Sequence, residues 1–72
     1  MIYFTKYAEK KFEILNKHKI YFTREQIEDV VNVPNRTSKK SAYQISHKEN
    51  IGVVHTKEQN AIKVITFYPV KQ

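Results

Sequence analysis

The chain has 72 residues, no cysteine and a formal net charge of +6, with thirteen Lys or Arg against seven Asp or Glu. This length predicts one domain, residues 1–72, and the lack of cysteine excludes disulfide and thiolate–metal staples. No apolar run approaches the ~18 residues of a membrane span and the start is unlike a signal peptide, so we expect a cytoplasmic protein that does not contact the membrane.

A strand and a helix are predicted first. Residues 2–5 (IYFT) are apolar and aromatic, which is typical of a short strand. Thr5 can then cap a helix that runs to about His18. Apolar residues recur along this helix at helical spacing, at Ala8, Phe12 and Leu15. Lys6 and Lys10 fall on its far face, where they should be solvated.

A second helix is predicted from its start and stop signals. Thr23 and Gln26 have the spacing of a capping box. Val33 precedes Pro34, and a residue before proline is pushed out of the α region, so the helix should end there. Residues 34–41 (PNRTSKKS) are polar and basic, and we expect them to form a loop.

Three strands should follow, at about 42–47, 51–56 and 61–68, joined by short polar turns as an antiparallel meander. Strict alternation in the last strand would put Val64 and Tyr68 on one face and Phe67 on the other. Apolar residues on both faces suggest a central strand. The predicted fold is an α+β two-layer sandwich of order β-α-α-β-β-β, with two N-terminal helices packed on a small antiparallel sheet.

The excess of basic residues favours a polyanionic or acidic partner, namely RNA, the ribosome or an acidic protein. Three cations in the predicted loop, Arg36, Lys39 and Lys40, suit phosphate contacts, and Lys6 and Lys10 could add to them. The alternative is that these charges only keep a small domain soluble, with a solvated loop.

Four stretches carry a resemblance to a known family: TKYA (5–8), VPN (33–35), IGVVH (51–55) and VITFYP (64–69). Together with the order of elements, they resemble the RelE/ParE-like toxin superfamily. The closer match is a compact branch whose members begin T-K-H-A and carry a V-I-T-F-Y-P tail. The resemblance implies a toxin that cuts mRNA on the ribosome and that is covered by an acidic, partly disordered antitoxin.

Two positions depart from that pattern. Tyr7 stands where relatives have His, and it could replace that His or pack in the core. Gly52 stands where relatives have Arg in the third strand. This only glycine of the chain marks either a lost basic side chain or a β-bulge.

RNA cleavage needs a base for the ribose 2′-hydroxyl, an acid for the leaving oxygen and cations on the phosphate. The candidate catalytic residues are His55, Tyr68 and His47. Each has a simpler interpretation: a half-buried sheet histidine, a packed tyrosine and a surface histidine, respectively. The three histidines lack metal-ligand spacing, so we expect no metal and no cofactor.

Three functions stay open from the sequence. The first is a toxin-like endoribonuclease of the RelE/ParE type. The second is a non-catalytic module that binds RNA or protein on a degenerate toxin scaffold. The third is a homodimer that hides apolar sheet surface, because association is one way in which so small a domain can gain stability.

Overall fold

The computed structural model describes residues 1–71, which form two helices and one five-stranded sheet. In chain order the elements are β1 (Ile2–Phe4), α1 (Lys6–Lys17), α2 (Arg24–Asn32), β2 (Arg36–Lys40), β3 (Tyr43–Lys48), β4 (Ile51–Glu58) and β5 (Ala61–Pro69). The strand order is β1-β5-β4-β3-β2. Strand β1 runs parallel to β5, and the other neighbours are antiparallel. The predicted α+β sandwich with a central last strand is confirmed.

Both helices begin at the predicted caps. The Thr5 side chain accepts a hydrogen bond of 3.1 Å from the backbone N–H of Ala8. Thr23 and Gln26 form a complete capping box, each side chain accepting from the other's backbone N–H at 3.1 and 2.9 Å. Neither helix is long and apolar enough to cross a membrane, over the residues that the structure describes.

The basic segment that we predicted as a loop forms strand β2, so that prediction was wrong. Arg36–Lys40 pairs in register with β3, and all five side chains are exposed. The turn back to β3 passes through Ser41, whose φ of 52° is left-handed. Polar, basic residues are typical of loops, but they are equally typical of an edge strand that charge protects from pairing with other chains.

The core lies between the helices and one face of the sheet. Its buried members are Ala8, Leu15, Ile27, Val30, Val31, Ile51, Val53, Val64 and Phe67. The Phe67 ring lies 4.5 Å from that of Phe12 and 6.2 Å from that of Phe22, centroid to centroid. Helix α1 packs over β5 and β1, and α2 over β4 and β3.

A β-bulge in β5 overturns the predicted faces of that strand. Val54 pairs with Thr66 and His55 pairs with Val64, so Ile65 is an extra residue on β5. Beyond this point the alternation is shifted by one residue. Phe67 therefore joins Val64 in the core, and Tyr68 moves to the opposite face of the sheet.

Candidate functional site

One face of the sheet is turned away from both helices, and none of the described elements covers it. We call it the open face. Cross-strand partners share a face, so the register identifies its central positions. They are Tyr43, Ile45 and His47 of β3, Gly52 and Val54 of β4, and Thr66 and Tyr68 of β5.

The Tyr68 ring packs directly over Gly52. The two residues pair across β4 and β5, and a Cβ atom on Gly52 would lie 2.6 Å from two ring carbons of Tyr68. The backbone of Gly52 has no left-handed φ, and the bulge lies at Ile65, so the bulge, one of the two alternatives for Gly52, is contradicted. Glycine is needed here because an aromatic ring occupies the place of a side chain.

The same ring is held from its other end by His47. The Tyr68 hydroxyl and Nε2 of His47 share a hydrogen bond of 3.2 Å, and the rings meet edge to face at 75°. The Nδ1 atom of His47 is buried and has no hydrogen-bond partner within residues 1–71. Arg36 pairs with His47 across β2 and β3. Both residues line an open depression of about 460 Å³.

A second aromatic residue and cation lie at the other end of the open face. Tyr43 is 40% exposed and pairs with Lys40 across the β2–β3 turn. Tyr43 lies four positions before His47, which corresponds to roughly 13 Å along β3. On the far border, Lys63 of β5 pairs with Tyr3, and Tyr3 donates a hydrogen bond of 2.5 Å to Glu58.

The structure separates His55 from the other two candidate catalytic residues. His55 lies on the helix-facing side of β4 and is only 5% exposed. Its Nε2 shares a hydrogen bond of 2.8 Å with the Ser46 hydroxyl, and burial lowers the pKa of the imidazole. His47 and Tyr68 do come together, on the opposite side of the sheet, so the three do not form one site.

The candidate RNA-binding cations divide in the same way. Arg36 and Lys40 lie on the open face of β2, whereas Lys39 alternates to the other face. Lys6 and Lys10 are exposed on the side of α1 that points away from the sheet. Tyr7 is 67% exposed, so its expected packing in the core was wrong.

Two residues of the open face were missed as functional candidates. Lys63 was predicted only as a residue of the last strand, and Gly52 was predicted only to mark a lost basic side chain or a β-bulge. The pairing of a glycine with an aromatic residue on the neighbouring strand was the available signal. Among residues 1–71, no cluster of His, Asp and Glu is arranged to hold a metal ion.

Comparisons with protein-family models, with curated proteins and with solved structures find no match to this chain. The resemblance to RelE/ParE-like toxins therefore depends on the four sequence stretches and on the order of the elements.

Proposed function

We propose that this chain binds single-stranded RNA on the open face of its sheet. The observation that carries the proposal is the pairing of an aromatic ring with a cation at both ends of that face. At one end Tyr68 and His47 lie beside Arg36, and at the other Tyr43 lies beside Lys40. Bases stack on exposed aromatic rings, and neighbouring cations hold the phosphates.

The spacing and the charge of the open face support this function. Roughly 13 Å between the two ends of β3 leaves room for about two nucleotides of a single strand, at the reach of an extended backbone. Lys63 lies on the opposite border from Arg36 and Lys40, so cations flank the rings on both sides. The net charge of +6 adds a long-range attraction for a polyanion.

Titration of a labelled single-stranded RNA tests this proposal, with fluorescence anisotropy as the readout. The Arg36→Ala/Lys40→Ala variant should bind about tenfold more weakly at about 50 mM salt. Its slope of log affinity against log salt should fall by about 1.4, because each phosphate contact on a single strand contributes about 0.7. Tyr43→Ala should weaken binding about tenfold through lost stacking.

The matched control is Lys6→Ala/Lys10→Ala. It removes the same charge from α1, on the other side of the molecule, and should retain most of the affinity. Equal losses in the two double variants would show that binding follows net charge and not the open face. Binding that is indifferent to salt between about 50 and about 200 mM would contradict the proposal altogether.

A second candidate function, favoured by the hydrogen bond between Tyr68 and His47, is toxin-like RNA cleavage. One of the two groups would take the proton of the 2′-hydroxyl and the other would protonate the leaving 5′-oxygen, with Arg36 on the phosphate. This function would place the chain at the ribosome with an acidic antitoxin, as the resemblance to RelE/ParE-like toxins implies.

Cleavage and binding are separated by the Tyr68→Phe and His47→Gln variants. Both should abolish RNA cleavage and growth arrest on induced expression while they retain RNA binding within about threefold, since a single hydrogen bond contributes about 0.5–1.5 kcal/mol. RNA binding by the parent chain without cleavage or growth arrest would remove the toxin function and leave the non-catalytic module.

A further inference from the structure

Helix α1 carries two apolar side chains that are not packed against the rest of the fold. Tyr7 is 67% exposed and Ile14 is 43% exposed. Seven residues are close to two helical turns, so both side chains lie on one side of α1, roughly 10 Å apart. We call this stripe the outer flank. It lies next to the buried stripe of Ala8 and Leu15, which packs on the sheet.

The outer flank faces away from α2. Glu9, on the other side of α1, forms an ion pair with Arg24 at the start of α2. Helix α1 lies over β5 and the edge strand β1, so its outer flank is at the edge of the molecule. Within residues 1–71 no element packs on it.

The outer flank is bordered by positive charge. Lys10 and Lys17 follow Tyr7 and Ile14 by three residues each, so each apolar side chain has a lysine one turn away. Both lysines are exposed, and neither forms an ion pair with any residue in the range 1–71. The two exposed apolar side chains therefore have two lysines along their border, with Glu13 one turn from each lysine.

We propose that the outer flank binds an acidic amphipathic helix of another protein. Apolar side chains at heptad spacing on the partner would meet Tyr7 and Ile14, and flanking carboxylates would meet Lys10 and Lys17. A second copy of this chain would bring like charges together at the same place. The phosphates of RNA could pair with the lysines, but RNA would leave the Ile14 side chain without an apolar contact. This surface is separate from the open face, so the proposal does not depend on RNA binding.

A designed probe tests the proposal. It is a labelled helical peptide of about three heptads with Leu at the a and d positions and Glu at e and g. The full chain should bind it, and Tyr7→Ser/Ile14→Ser should weaken binding at least tenfold. Lys10→Glu/Lys17→Glu should weaken it about tenfold, whereas Lys39→Glu/Lys40→Glu, with the same change of charge on β2, should alter it by less than about twofold.

Three results would overturn the proposal. Equal binding of a peptide with Ser at the a and d positions would show that charge alone attracts the probe. Equal weakening by the β2 variant would show that the site is not on α1. A concentration-dependent dimer in sedimentation that Tyr7→Ser/Ile14→Ser abolishes would identify a second copy as the occupant. Circular dichroism verifies that each variant folds, as expected for exposed positions.

Discussion

Position 52 and position 68 share one volume on the open face. The Tyr68 ring fills the space above Gly52, so a side chain on residue 52 requires the ring to leave. The ring is held in this space by the hydrogen bond of 3.2 Å between its hydroxyl and Nε2 of His47.

The close approach at Gly52 predicts a stability effect whose sign depends on Tyr68. Gly52→Ala should lower the free energy of unfolding by about 1 kcal/mol, because the ring must swing away and lose its hydrogen bond. In a Tyr68→Ala background the same change should raise stability by about 0.5–1 kcal/mol, the usual preference for Ala over Gly in a strand. Urea unfolding of the four proteins measures this cycle. Additive effects would contradict the shared volume.

His55 predicts how stability depends on pH. Burial lowers the pKa of His55 in the folded chain, so the unfolded chain takes up a proton at that site more readily as the pH falls. The contribution is fully present above the unfolded pKa of about 6.5, and it is lost as the pH falls through that value towards the folded pKa. We therefore expect Tm to decrease from pH 7 to pH 5.

The variant His55→Gln isolates this effect. Its Tm should depend less steeply on pH over that range than the Tm of the parent chain, whatever its stability at pH 7. The control is His18→Gln, at an exposed histidine that ends α1, and its pH profile should follow that of the parent. A parent profile that His55→Gln leaves unchanged would show that another group causes the pH dependence.

In the helices, short-range sequence signals such as capping residues determine where the element begins. The capping box of α2 satisfies two backbone donors that the helix cannot pair internally. Thr23→Ala should lower the free energy of unfolding by about 1 kcal/mol. Thr37→Ala, on the exposed strand β2, is the matched control and should change it by less than about 0.5 kcal/mol. Chemical denaturation compares the two, and equal effects would mean that the cap is not stabilising the helix.

The sheet shows where local signals fail. Both helices could be predicted because caps, apolar spacing and proline lie within a few residues of each other. Strand β2 could not, because exposed basic residues have no period that separates a loop from an edge strand. The faces of β5 could not either, because an extra residue at Ile65 becomes visible only when β4 is laid beside it. The pair of Tyr68 and His47 depends on that bulge.

At the scale of the whole molecule, positive charge opposes the folded state. The radius of gyration is 11.4 Å, so at about 0.01 M salt, where the screening length is about 30 Å, every charge acts on every other. At about 1 M the length is about 3 Å, and only contacting pairs interact. Within residues 1–71 the structure has two ion pairs that salt would weaken, Arg24–Glu9 and Lys48–Asp29.

Added salt should therefore stabilise the protein. We expect Tm to rise by roughly 4 °C, about 0.5–1 kcal/mol for a chain of this size, between about 0.01 and about 1 M NaCl. Scanning calorimetry of Lys6→Gln/Lys10→Gln, with net charge reduced from +6 to +4, should show a smaller rise. A fall in Tm with salt would mean that attractive pairs outweigh the repulsion.

The bulge in β5 has a consequence for how the chain could change. Phe67 and Tyr68 are neighbours in sequence, and the bulge that leaves Ile65 out of the pairing with β4 decides which ring is buried and which is displayed. If Ile65 instead paired regularly with Val54, the bulge would close, the phenol of Tyr68 would turn inward, and Phe67 would face outward with a ring that can stack but cannot transfer a proton. A shift of one residue in the pairing of β5 with β4 would thus convert the displayed surface without altering any residue of the sequence.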